Sequence, residues 1–296
     1  MAQYRESERV SLKGHKLFTV EYYPEDISNL RAALVFHHGL AEHVGRYKHM
    51  FTTLASRGIA VYSKDAFGHG KSEGDRAFIE NFEDLVLDFE AYANYARDDL
   101  AQRCQHAPPP MFIGGHSLGG LIAALTCLRD QQRWAGLLVL SAALDVEWTL
   151  SLRVQAAVGS LLAVLMPRAR IVAAVRPEDM NAGKNPQCVK DYVEDPLNTV
   201  GPLHVATAHH ITKAFKRLRQ HYADFTLPIY AHHGDHDKCT SMPATKRFVE
   251  AVSSKDKTLH IVPGGYHEVM LGPGKEEIIS ELANWILQHS SPAQKL

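Results

Sequence analysis

The chain reads as an α/β protein, with a mostly parallel central sheet flanked by helices and one inserted helical cap. Two patterns lead there. Short β-rich apolar runs alternate with longer helical patterns, as strand–helix–strand crossovers require. That alternation then stops for more than eighty residues between Leu140 and Leu227, far too long for an ordinary connection. The length of 296 residues is enough to bury a large core in a single α/β unit.

Taken in order, "RVSLKGHKLFTVEYY" predicts two strands turning at Gly14, an antiparallel edge. The later strands are expected at Ala32–Phe36, Ile59–Ser63, Met111–Gly114, Gly136–Leu140, Leu227–His232 and Thr258–Val262. Helical patterns cover Tyr47–Arg57, Phe82–Cys104, Leu118–Arg129, Pro243–Val252 and Lys275–His289. The long interval holds an apolar helix at Trp148–Met166, a Pro- and Asn-punctuated stretch from Arg176 to Thr199, and an amphipathic helix near His204–Tyr222. The domain reading is therefore a core of 1–144 and 224–296, with residues 145–223 as the cap.

Composition excludes several classes. A formal net charge of −1 gives no basis for nucleic-acid binding. The four cysteines, Cys104, Cys127, Cys188 and Cys239, are widely spaced, so free thiols are expected rather than disulfides or a cysteine zinc site. The polar start "MAQYRESERVSLKG" has no apolar signal core, and the expected location is the cytoplasm. The Trp148–Met166 segment carries Arg153 and Gln155 and stops at Pro167, which fits a buried or interfacial helix better than a span.

Gly115-His116-Ser117-Leu118-Gly119 is a G-x-S-x-G between an apolar strand and a helical pattern. The spacing suits a sharp strand-to-helix turn that pushes the serine hydroxyl out of the core. The competing reading is a glycine-rich turn with an incidental serine. A serine needs a base to take its proton, which calls for a histidine oriented by a carboxylate. "LPIYAHHGDHD" ends one later strand with Asp235 and Asp237, and "LHIVPGGYHE" ends another with His267. All three residue types then sit at strand C-termini, where open α/β sheets place their sites.

With these stretches assembled, the chain resembles the monoacylglycerol lipase and lysophospholipase branch of the α/β-hydrolase superfamily. "HHGLAEHVGRY", "DAFGHGKSEG", "GGHSLGG", "DYVEDPL", "HGDHDK" and "GGYHE" carry the resemblance from residue 37 to residue 268. It implies an α/β-hydrolase fold and a serine esterase that cleaves monoacylglycerols or similar lipid monoesters through an acyl-enzyme. The implied triad is Ser117, Asp237 and His267, with Asp235 the rival acid. Leu40 and Leu118 N–H groups are the implied oxyanion hole. Glu42, Arg46 and Tyr192 are implied at the alcohol end of the substrate, where a Glu42–Arg46 pair that merely fixes the loop is the alternative. Family members most like the animal enzymes carry a second histidine three residues after the catalytic one; here that position is Met270. Lysophospholipids and aryl or caffeoyl-type esters therefore stay open as substrates, and a non-catalytic binding protein is the alternative of another class.

The remaining expectations are weaker in chemistry. Asp65 and Ser72 are expected to satisfy nearby backbone groups. "HHGDHD" lacks the first ligand of a binuclear metallohydrolase run, being Ala231, so no metal and no organic cofactor are expected. His37, His209, His210 and His232 are expected to be packed or surface residues. In the cap, Trp148, Leu150, Leu161, Leu162, Leu165 and Met166 could line an acyl tunnel or form cap core. Lys213, Lys216, Arg217 and Arg219 suit either a solvated face or anionic lipid headgroups, hence an expected peripheral membrane contact through the cap. Cys239, two residues after Asp237, is expected near the site. Sequence leaves the oligomeric state open.

Overall fold

The computed structural model describes residues 2–104, 107–173, 176–180 and 186–290. Strands β1 (Gln3–Val10), β2 (Lys16–Tyr23), β3 (Ala32–His37), β4 (Ile59–Lys64), β5 (Met111–His116) and β6 (Gly136–Leu140) precede the insertion. Strands β7 (Arg170–Val172) and β8 (Leu203–His204) pair with each other inside it. Strands β9 (Ile229–Gly234) and β10 (Lys257–Val262) follow it. The main sheet has eight strands in the order β1-β2-β4-β3-β5-β6-β9-β10. The first two joins are antiparallel, the first of them through the Gly14 hairpin, and all the others are parallel. Strand and helix ends differ from the sequence expectation by a few residues at most, as at β9, which starts at Ile229 and runs on to Gly234.

The inner strands are buried along their whole length, because helices cover both faces. Alternate residues serve two cores. Ala33, Val35, Ile113, Leu137 and Val139 pack with helices α2 (Phe82–Arg103) and α3 (Leu118–Cys127). Ala32, Leu34, Phe36, Phe112 and Leu138 pack with α1 (Lys48–Ser56) and α9 (Lys275–Gln288). Helix α8 (Met242–Ala251) joins the first core through Phe248 and Val249.

Between β6 and β9 lie α4 (Leu150–Leu165), α5 (Pro177–Met180), α6 (Pro186–Glu194) and α7 (Val205–Gln220). Within the stretch expected to be Pro- and Asn-punctuated, residues 181–185 lie outside the described ones. Helix α7 buries Ala214, Phe215 and Leu218 while Arg217 and Arg219 remain exposed. The expectation for α4 needs correcting. No described residue of it is buried, and Leu150, Leu161 and Leu165 are 80%, 62% and 68% exposed. Apolar residues surround this helix on all sides, so sequence does not say which face packs. The least exposed residues of the helix are Leu152, Ala156, Gly159, Leu162 and Ala163, at helical spacing on one face, while Leu150, Val154, Val158, Leu161, Val164 and Leu165 are exposed. No helix among the described residues is long and apolar enough to cross a membrane.

Candidate active site

Ser117 sits between β5 and α3 with φ 54° and ψ −122°, a conformation an L-residue adopts at a cost of about 1–3 kcal/mol. Backbone bonds hold it there: Ser117 N–H donates to Leu140 O at 3.0 Å, and Ser117 O accepts from Gly120 at 3.1 Å and Ala143 at 2.9 Å. The flanking glycines are steric necessities. A Cβ on Gly119 would come within 2.1 Å of His37 O, and one on Gly115 within 2.3 Å of the Gly119 carbonyl carbon.

The loops after β9 and β10 are laced together, His236 N–H donating to Gly265 O at 2.9 Å. A Cβ on Gly234 would lie 2.3 Å from that same oxygen. This lacing places Asp237 Oδ2 2.8 Å from His267 Nδ1. Asp237 also accepts from Thr240 Oγ1 at 2.8 Å and from the Cys239 and Thr240 N–H groups at 2.7 and 3.0 Å. Burial alone would raise its pKa, but the facing His267 and His233 hold it far below the usual carboxylate range. Asp235 instead pairs with His236, both side chains partly exposed. Geometry therefore joins Asp237, not its rival, to the histidine.

Ser117, His267, Leu40 and Leu118 line one cavity of about 200 Å³. The Leu40 and Leu118 N–H groups donate to no described residue, so both remain available to a ligand oxygen. Ala143, Met180, Val200, Leu203, Ile211 and Phe215 supply apolar wall, while Tyr192 and Thr240 are polar. Trp148, Leu150, Leu161, Leu162, Leu165 and Met166, read as tunnel candidates, take no part in it. Trp148 instead donates to Asp145 Oδ1 at 2.8 Å beneath Lys216 and Arg219.

Glu42 and Arg46 are corrected as well. Neither lines the cavity, because both are held in a buried network under the site. Glu42 Oε1 accepts from Gly39 N–H at 2.6 Å and from Tyr47 O–H at 2.5 Å, and its Oε2 from Arg46 at 2.5 Å. Arg46 lies 2.6 Å from Glu268 as an ion pair that lacks hydrogen-bond alignment. Tyr192 packs against that guanidinium at 4.8 Å and donates to Ala41 O at 3.1 Å.

His116, the unnamed residue of the serine motif, completes the network. Its Nε2 lies 3.1 Å from His267 O, a carbonyl that can only accept. Its Nδ1 lies 2.8 Å from the Tyr47 hydroxyl, whose single proton goes to Glu42. Both ring nitrogens must then carry protons, making His116 an imidazolium. Burial works against that charge, yet the Glu42 hydrogen bond and charge raise its pKa overall. Two anions (Glu42, Glu268) and two cations (Arg46, His116) thus balance below Ser117. Sequence reasoning missed His116, Tyr47 and Glu268. Their only signals were placement beside Ser117, Arg46 and His267, and such adjacency does not announce a contact across distant loops.

Other expectations can be placed directly. Asp65 accepts from Val44 and Lys71 N–H at 2.8 Å each, and Ser72 donates to Asp65 O at 2.7 Å. Both satisfy backbone groups as expected. His37 and His232 are buried, and His209 and His210 are half-buried on α7. The Cys239 thiol lines the cavity, but burial and Asp237 push its pKa far up. Reagents that need a thiolate should therefore react slowly there.

A strained serine, an acid–histidine pair and two open amides at the C-terminal edge of a largely parallel sheet define a serine hydrolase of the α/β-hydrolase fold. Comparison with known proteins agrees. Residues 28–273 match the serine aminopeptidase S33 family, and the chain belongs to that family. It is 29% identical over 262 residues to a monoacylglycerol lipase of Mycolicibacterium smegmatis, covering 88% of this chain and 89% of that one. It is 28% identical over 290 residues to the human monoglyceride lipase, covering 96% and 91%. The crystal structure of Paleococcus ferrophilus monoacylglycerol lipase superimposes with a TM-score of 0.76 at 26% identity, covering 97% of this chain and all of that one.

Proposed function

We propose that the chain hydrolyses lipid-like monoesters, monoacylglycerols above all, with residues 145–223 acting as a cap over the site. The observation that carries this reading is the Asp237–His267 bond beside a cavity that also holds Ser117. Ser117 attacks the acyl carbon while His267 takes its proton, then returns it to the leaving alcohol. Asp237 fixes the imidazole tautomer and stabilises its charged form. The Leu40 and Leu118 amides receive the oxyanion, a role in which one lost donor typically costs about 10²–10³ in turnover. Water activated by His267 then frees the acyl group.

The apolar wall suits an acyl chain, and the M. smegmatis, human and P. ferrophilus relatives support a glycerol monoester. Tyr192 and Thr199 are the polar side chains of segment 145–223 that border the pocket among the described residues. Buried Met270 stands where related enzymes bring a histidine toward the alcohol, which keeps lysophospholipids and aryl esters in contention. The exposed aliphatics of α4 (Leu150, Val158, Leu161, Leu165), together with the exposed Lys213 and Lys216 of α7, suit a peripheral contact with a lipid surface.

A fluorophosphonate probe tests the chemistry. It should label the chain at Ser117 and leave Ser117→Ala unlabelled; an unlabelled parent chain at high probe concentration would point to a binding protein. Comparing kcat/KM over monoacylglycerols of graded length, lysophospholipids and aryl esters tests the substrate. Monoacylglycerols should lead, and a clear preference for either other class would displace them.

A further inference from the structure

Beside the nucleophile the chain assembles three unlike donors of a kind that metal ions take together. One ligand atom each from Asp237, Cys239 and His267 lie within 4.8 Å of one another, the sole such cluster among the described residues. We propose that this cluster is an inhibitory site for a thiophilic divalent cation of the zinc type, bound through Asp237 Oδ2, Cys239 Sγ and His267 Nδ1.

Several features of the site fit that ion. A sulfur, nitrogen and carboxylate-oxygen set selects zinc-like ions over magnesium or calcium. Bond lengths of about 2.0–2.3 Å around a tetrahedral ion separate its ligand atoms by roughly 3.5 Å. Asp237 and His267, now 2.8 Å apart, need to open slightly, and the sulfur to draw in. A thiolate and a carboxylate together neutralise a dication, so the buried complex carries no net charge. His233 Nε2, 3.1 Å from Asp237 Oδ2, and Thr240 Oγ1, at 2.8 Å, remain to orient the carboxylate as outer partners. Cys239 and His267 both border the cavity that holds Ser117, which supplies the entry path.

The protons balance. The Cys239 thiol releases one proton to solvent as its sulfur coordinates. The His267 Nδ1 proton gives way to the metal, and the neutral ring takes up its one proton on Nε2 instead. That nitrogen can no longer accept a proton from Ser117, so the bound ion stops the reaction proposed above. Metal binding itself does not depend on that reaction.

Titration of the full-length protein with Co²⁺ reads the site directly, without any activity. A near-ultraviolet sulfur-to-cobalt band should grow to one equivalent, persist in Cys188→Ser and vanish in Cys239→Ser and Cys239→Ala. Zn²⁺ should displace the cobalt, and should inhibit ester hydrolysis reversibly with chelator, while Mg²⁺ does neither. Removing the sulfur should raise the half-inhibiting Zn²⁺ concentration by more than about tenfold. Absence of the band in the parent chain, or its survival in both Cys239 variants, overturns the site even if hydrolysis proceeds as proposed. A band without any hydrolytic activity would uphold the site and sink the esterase reading instead.

Discussion

The floor under Ser117 and the helix α4 use their residues in opposite ways. The floor buries Glu42, Arg46, Tyr47, His116 and Glu268, four of them charged, and pairs every charge. Helix α4 is rich in leucine, valine and alanine, yet no described residue of it is buried. Burial here follows from what a side chain is tied to, not from how apolar it is. A buried charge removed from its partner is expensive, whereas an exposed aliphatic costs the fold little. The floor should accordingly be brittle and α4 tolerant.

The sharpest break comes from Glu42→Ala, which strands Arg46 and His116 without their common anion. We expect a loss of about 3–5 kcal/mol in urea unfolding, with turnover falling alongside, since the Gly39 amide also loses its acceptor. A loss below about 1 kcal/mol, the range of surface pairs, would mean that the floor is not a unit.

Acid sharpens the same contrast. Asp237 and Glu42 both have depressed pKa values, although burial pushes each upward: the facing His267 and His233 outweigh it for Asp237, and Arg46 and His116 for Glu42. Such a carboxylate stabilises the fold above its unfolded value of about 4 and loses that contribution as pH falls toward the folded value. His116 runs the other way. Its raised pKa gives stability complete below about 6.5, which fades as pH rises through the folded value. Thermal melting should therefore drop steeply below about pH 4. In Glu42→Gln the acid slope should flatten, and so should the alkaline one. Identical profiles in variant and parent would refute the assignment of charge.

Glu268→Gln keeps the shape and removes one charge beside His267. Turnover should fall by about tenfold with KM within about twofold, because the change loosens the histidine loop and leaves the cavity wall alone. A loss carried by KM would place Glu268 in substrate binding. The smallest effect belongs to α4: Leu161→Gln and Val158→Gln should shift stability by no more than about 0.5 kcal/mol. The same variants should reduce co-sedimentation with lipid vesicles, the reading that gives these side chains a use.

The sheet was legible because each inner strand is an unbroken apolar run closed by polar residues. Ser117 and His267 were legible because each ends such a run. The choice between Asp235 and Asp237 was not, since both follow β9 on the same short loop. A turn closed by Asp237 N–H on Gly234 O brings Asp237 inward onto His267 while Asp235 stays at the surface. The Glu42–Arg46 pair was readable from its spacing along the chain. Its purpose was not, because Glu268 reaches it from the loop after β10 and His116 from the end of β5. For α4, uniform apolarity hid which face packs: Leu152, Ala156, Gly159, Leu162 and Ala163 are half-buried, while leucines and valines of the same helix stay exposed.

The segment between β6 and β9 is fastened to both halves of the site by main-chain atoms. Ala41 O accepts from Thr199 N–H at 2.9 Å and from the Tyr192 hydroxyl, and Met180 O accepts from His267 N–H at 3.1 Å. Residue 41 adjoins one expected amide donor, and residue 267 is the expected base. Lifting this flap to admit a long chain would therefore tug on donor and base together. Opening for entry would then unsettle the same loops that carry the expected chemistry, and closing would restore their alignment.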